Sequence, residues 1–106
     1  MSIPKVIKLS GVSFYQDIIK TLKENDILTM ELDTDNKYDS NAIKILKDNT
    51  ICGYIPKKYK INDTEIILNE LIKNKFVKLN KRYNLVVKNI YKWTGPTGIE
   101  IEFTKI

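Results

Sequence analysis

Tyr38 and Asp39 stand side by side in the polar stretch Asn36-Lys37-Tyr38-Asp39-Ser40-Asn41, where neither is needed for burial. A ring beside a carboxylate can stack on a flat group while accepting a hydrogen bond from its neighbour. A carboxylate repels phosphate, so in a nucleic-acid site it is useful only where the ligand offers a donor, such as a base amino group or a free sugar hydroxyl. That logic points to a strand end. The plain alternative is an Asx turn made by Asp39 or Asn41, with Tyr38 packing a rim. Shortly downstream, Gly53-Tyr54-Ile55-Pro56 leads into Lys57 and Lys58, cations suited either to neutralising phosphates or to lying in solvent. Phe14 and Tyr15 are a second pair of rings, and rings spaced around a basic groove form a platform for unpaired bases. Of two adjacent aromatics in a small barrel, one faces the core, so only one of this pair is expected to reach a ligand.

Catalytic readings find less support. The chain has no histidine to act as a general base, and it carries no GxSxG elbow, P-loop or Gly-rich dinucleotide fingerprint. The acidic set Glu31, Asp33, Asp35 and Asp39 raises a Mg²⁺ nuclease as a third reading. The stretch nevertheless lacks the EF-hand glycine and places Lys44 where the bidentate Glu would stand, and acidic residues alternating along an exposed strand face are a sufficient explanation. A binding protein rather than an enzyme is expected, with no cofactor.

Composition narrows the setting. One cysteine, Cys52, excludes an intramolecular disulfide, and without histidine there is no ordinary zinc ligand set. Apolar packing must therefore hold the fold, and an intracellular, reducing environment fits. No apolar run reaches the roughly 20 residues that span a bilayer, and the start MSIPKVIKL lacks a signal-peptide core. Eighteen Lys+Arg against 13 Asp+Glu leave a net charge of +5, which favours polyanionic partners.

The 106 residues are expected to form a single domain. Lys5 to Gly11 reads as a strand and Asp17 to Lys23 as a short helix. From Ile27 to Asp33, Leu28, Met30 and Leu32 alternate with Thr29, Glu31 and Asp33, the period of a half-buried strand. Ala42 to Leu46 and Ile51 to Ile55 make two more strands joined by a hairpin at Lys47-Asp48-Asn49-Thr50, and Pro56 ends the second or places it at an edge. Asn62-Asp63-Thr64-Glu65 resembles a capping box opening a helix to about Lys73, with Ile67 over Leu71 and Leu68 over Ile72. Phe76 to Trp93 and Ile99 to Ile106 read as β structure around Thr94-Gly95-Pro96-Thr97-Gly98, with Ile99, Ile101 and Phe103 inward. The expected fold is mostly β with one main helix (α+β), a curled antiparallel sheet or modified oligonucleotide-binding (OB-like) barrel.

Three segments, Gly11-Val12-Ser13-Phe14-Tyr15, Asp35-Asn36-Lys37-Tyr38-Asp39-Ser40-Asn41-Ala42-Ile43 and Gly53-Tyr54-Ile55-Pro56-Lys57, resemble the HIRAN domain in order and spacing, over about Val6 to Lys73. The resemblance is to the free-standing form of that family. It implies a modified OB-like barrel that captures the 3′ end of single-stranded DNA, in a DNA repair or replication setting, working with a DNA translocase or another repair protein. By position, Tyr38 and Phe14 would hold terminal bases, Asp39 would accept from the 3′-hydroxyl, and Lys57 would meet a phosphate. Three positions depart from the family's studied DNA-binding member: Ser13 replaces an arginine, Tyr54 replaces a histidine, and Phe14 lacks a tyrosine hydroxyl. The reading from a different class is a protein-interaction module whose groove around Tyr38 and Tyr54 takes a peptide or a partner's surface.

Overall fold

The computed structural model describes residues 3–77 and 83–105. Its strands are β1 (Val6–Lys8), β2 (Ile27–Leu32), β3 (Ile43–Lys47), β4 (Thr50–Tyr54), β5 (Lys58–Ile61), β6 (Thr64–Ile67), β7 (Tyr83–Tyr91) and β8 (Gly98–Lys105). A 3₁₀ turn at Val12–Phe14 and a short helix α1 (Gln16–Ile19) follow β1, and helix α2 (Leu68–Ile72) runs on into a π-helical turn at Lys73–Val77. Six strands form one antiparallel sheet in the order β1-β8-β7-β2-β3-β4, while β5 and β6 make a separate hairpin. The fold is thus mostly antiparallel sheet with one main helix.

The alternation along β2 buries Leu28 and half-buries Met30 and Leu32. Between β3 and β4, Asp48 and Asn49 both take left-handed backbone angles (φ 48° and 71°), which a two-residue type I′ turn requires and which Asp and Asn tolerate better than other side chains. Bulges interrupt the β3–β4 register after Ile45 and the β7–β8 register after Val87. Each bulge bends its strand and deepens the local twist, curling the sheet around the core. Ile7, Ile43, Ile45, Leu85, Val87, Ile99 and Ile101 fill the concave side, and Ile19, Leu68, Ile72 and Phe76 close over it. At roughly 1.5–3 kcal/mol for each large apolar side chain fully buried, this set supplies the main driving force for folding.

Among the described residues the curled sheet stays unclosed except at one isolated bridge. Beyond β1 the chain reaches the far edge strand, where Ser10 N–H donates to the Tyr54 carbonyl and Tyr54 N–H to the Ser10 carbonyl, both at 2.9 Å. Gly53 makes this approach possible, because a Cβ there would lie 3.0 Å from the Ser10 carbonyl oxygen.

Some expected elements differ, and the helix expected over Asp17 to Lys23 is the four-residue α1. Asn62 and Asp63 do not open a helix; with φ of 50° and 66° they form a second two-residue hairpin turn, and Thr64 and Glu65 belong to β6. Asn-Asp serves a type I′ turn as readily as a cap, and the flanking strands bring Ile66 opposite Tyr59, where both pack on the core. The helix begins at Leu68, so the expected Leu68–Ile72 pair is kept and buried, whereas Ile67 lies in β6. Phe76, expected at the start of β structure, lies in the π-helical turn and stacks on Phe103 with ring centroids 5.4 Å apart. The expected β structure at residues 78–82 lies outside the described residues. Among the described residues no helix is long and apolar enough to cross a membrane.

Candidate functional site

The Tyr38–Asp39 loop is shaped by its own side chains. Asn36 Oδ1 accepts the N–H groups of both Tyr38 and Asp39 at 2.9 Å, and the Asn36 N–H donates to the Asp33 carbonyl at 3.1 Å. Asp39 Oδ1 accepts the Asn41 N–H at 2.9 Å, so the Asx turn weighed from the sequence is present. Lys73, from the turn after α2, ties the loop down by donating to the Ser40 carbonyl and to Asn41 Oδ1. Fixing the backbone this way leaves Tyr38 98% exposed and turns Asp39 toward the buried Asn69.

Inward of Asp39 is a cleft of about 230 Å³ lined by Ser10, Asn36, Asp39, Tyr54, Lys57 and Asn69, among others. The seam between Ser10 and Tyr54 forms one wall. Tyr54 Oη donates to Asp33 Oδ2 at 2.8 Å, and burial, reinforced by this bond, pushes the phenol far above its ordinary range. Its hydroxyl is committed to Asp33, so what Tyr54 offers the cleft is a neutral ring. Lys57 stands at the start of the β5–β6 hairpin, where its carbonyl accepts the Leu68 N–H at 2.8 Å. That bond joins the lysine's backbone to the helix carrying Asn69.

Asn69 escaped the sequence reading. It is only 1% exposed, and its Nδ2 donates to Asp39 Oδ2 at 2.8 Å. Its Oδ1 is buried with no partner among the described residues. A buried acceptor left unmatched costs about 1–3 kcal/mol, which argues for a role other than stability. The available signal was an asparagine next to Leu68 and three residues before Ile72, on a helix face that packing alone would fill with an apolar side chain.

The remaining sequence candidates lie outside this cleft's lining. Phe14 is 84% exposed, whereas Tyr15 is half-buried with its ring 6.4 Å from that of Tyr54. Both line a wider groove of about 630 Å³ running along α1 to Thr50 and Ile51. Lys58 is not part of the cleft lining and pairs with Glu65 across the hairpin at 3.7 Å. Of the acidic set, Glu31 faces Lys44 at 3.8 Å and Asp33 holds Tyr54. Among the described residues no three acidic, histidine or cysteine side chains gather into a metal site. Cys52 is buried, donates to the Ile45 carbonyl and has its thiol pushed up to about 11 by burial, so it stays protonated at neutral pH.

The HIRAN domain family model matches residues 6–93 of the sequence. Among solved structures, the HIRAN domain of human HLTF superposes with a TM-score of 0.63 at 20% identity, covering 94% of this chain and 74% of that one. At that identity the likeness is one of fold. No curated protein matches the sequence.

Proposed function

The chain belongs to the HIRAN domain family, a family of DNA-binding domains, and from that membership we propose that it binds single-stranded DNA by capturing a free 3′-hydroxyl end. The observation that carries this reading is the Asp39 carboxylate, set in a small cleft that Lys57 also lines, with the exposed Tyr38 next to it in the chain and the exposed Phe14 on a separate groove. An anion in a site meant for a polyanion is unfavourable unless the ligand brings a donor to it. A terminal hydroxyl is such a donor, Lys57 in the same lining would meet the adjoining phosphate, and the rings of Tyr38 and Phe14 would take the last bases. Tyr54 stands where the family's studied member has a histidine and contributes ring surface instead of charge. The domain binds and does not catalyse, so any part in repair or replication falls to a partner such as a DNA translocase.

The test is a fluorescence anisotropy titration with a labelled oligonucleotide ending in either a 3′-hydroxyl or a 3′-phosphate, repeated across salt. Tighter binding of the hydroxyl end is expected, with a log–log salt slope of about −0.7 for each phosphate neutralised. Equal binding of both ends would remove the capture mechanism. A partner that binds with no salt dependence would favour a peptide or protein surface in the same groove.

A further inference from the structure

Tyr91 and Trp93, where β7 runs into its turn, form an aromatic surface that the 3′-end cleft does not use. Their rings are stacked with centroids 6.4 Å apart and planes inclined by 22°, and Trp93 is 59% exposed. Both polar handles are already satisfied within the hairpin. Trp93 Nε1 donates to the Pro96 carbonyl at 2.6 Å, and Tyr91 Oη donates to Glu100, whose same oxygen also accepts from Asn89. With their edges pinned, the rings are held in place, and both residues remain exposed to solvent. A tryptophan placed so is a costly way to make a turn but a ready platform for another flat ring.

The charge around it suits a polyanion. Lys8 Nζ lies 4.9 Å from the centroid of the Trp93 ring, and the missing side chain at Gly98 leaves the lane its stem follows, since a Cβ there would come within 3.4 Å of Lys8 Cε. No ion pair involving Lys8 occurs among the described residues. Lys92 is exposed between the two rings in sequence; Glu100, opposite Lys8 across the β1–β8 pair, is occupied by Tyr91 and Asn89, and Glu102 by Lys5 and Lys88.

The surface is also continuous with the cleft. Lys8 and Ser10 are both exposed while Leu9 between them is buried, so they share the outer face of one extended segment, about 6–7 Å apart by strand geometry. Ser10 is the cleft wall. From the other side, Gln16 clamps the turn to the segment carrying Phe14: its Nε2 donates to the Thr97 carbonyl at 3.1 Å and its Oε1 accepts the Thr97 N–H at 2.9 Å.

We infer that the Tyr91–Trp93 surface with Lys8 is a second stacking site, which takes an unpaired base of the strand upstream of the captured end, with Lys8 and Lys92 meeting its phosphates. This inference rests on the strand-binding reading above, yet it can fail or stand separately from 3′-end selection. Trp93 is the sole tryptophan of the chain, so its emission reports on this surface alone. Saturating wild-type protein with an oligothymidylate of about ten nucleotides should quench that emission. A 3′-phosphate version should quench it too, at higher concentration if the end cleft selects hydroxyls and at equal concentration if it does not. Trp93→Ala should weaken binding of both oligonucleotides by the same factor, on the order of tenfold. Lys8→Gln should reduce the salt slope by about 0.7, the share of one phosphate on a single strand. Unchanged emission at saturation confirmed by anisotropy would overturn the inference, as would binding by Trp93→Ala within about twofold of wild type. Failure of wild-type protein to bind the oligonucleotide at all would overturn both readings.

Discussion

Asparagine in place of Asp39 is expected to bring the affinities for 3′-hydroxyl and 3′-phosphate ends together, chiefly by weakening the hydroxyl end about ten- to a hundredfold. Hydrogen bonds to a charged group are worth about 1.5–3 kcal/mol, and the terminal hydroxyl would lose its charged acceptor. The near-isosteric change also disturbs the support. Oδ1 of Asp39 accepts from the Asn41 N–H and Oδ2 from Asn69 Nδ2, so whichever way the new amide turns, its NH₂ group faces a donor. A modest fall in the thermal midpoint should therefore accompany the lost discrimination. Anisotropy titrations of the two oligonucleotides against wild type and variant check this, and a variant that kept the wild-type preference would sink the assigned role of Asp39.

Valine in place of Gly53 is expected to cost stability and end capture together. The added Cβ would meet the Ser10 carbonyl oxygen at 3.0 Å, Val12 Cγ1 at 3.3 Å and the Leu9 Cβ at 3.4 Å. The tightest of these contacts is with backbone, and that carbonyl cannot swing aside because it accepts the Tyr54 N–H in the seam. Overpacking of this kind costs about 1–3 kcal/mol, and each kcal/mol lowers the midpoint of a domain near this size by roughly 4–8 °C. Tyr54 is the next residue and lines the cleft, so a displaced seam moves the site as well. Urea unfolding followed by circular dichroism gives the stability change. A midpoint matching wild type would mean that the seam adapts more easily than its geometry implies.

What could be read from the sequence was the local part of the structure. The alternation of Leu28, Met30 and Leu32, the turn at Asp48 and Asn49, and the inward Ile99 and Ile101 each follow from neighbours in the chain, and each element is found. Asn62-Asp63 was ambiguous for a physical reason, since a capping box and a type I′ turn ask for the same small polar residues. The choice was made by distant partners, with Tyr59 and Ile66 packing on a core that local sequence does not display. The same holds at the site. Tyr38 and Asp39 stood out because a ring and an acid in a polar loop are conspicuous. Asn69 sits 30 residues beyond Asp39, and only the folded chain reveals their contact. The pairing of Ser10 with Tyr54 spans 44 residues and was equally invisible.

The unmatched oxygen of Asn69 has a bearing on how this protein would evolve under different pressures. An apolar residue of similar size, as in Asn69→Leu, removes an uncompensated buried acceptor, and a selection for thermal robustness alone should find such a change readily. The same change strips Asp39 of the amide that holds its Oδ2. Libraries sorted only for folding should therefore drift toward leucine or methionine at this position, while libraries sorted for hydroxyl-end binding should keep asparagine. Equal enrichment in both sorts would show that Asn69 is mere packing, whereas divergence would mark it as a place where stability has been forgone for function.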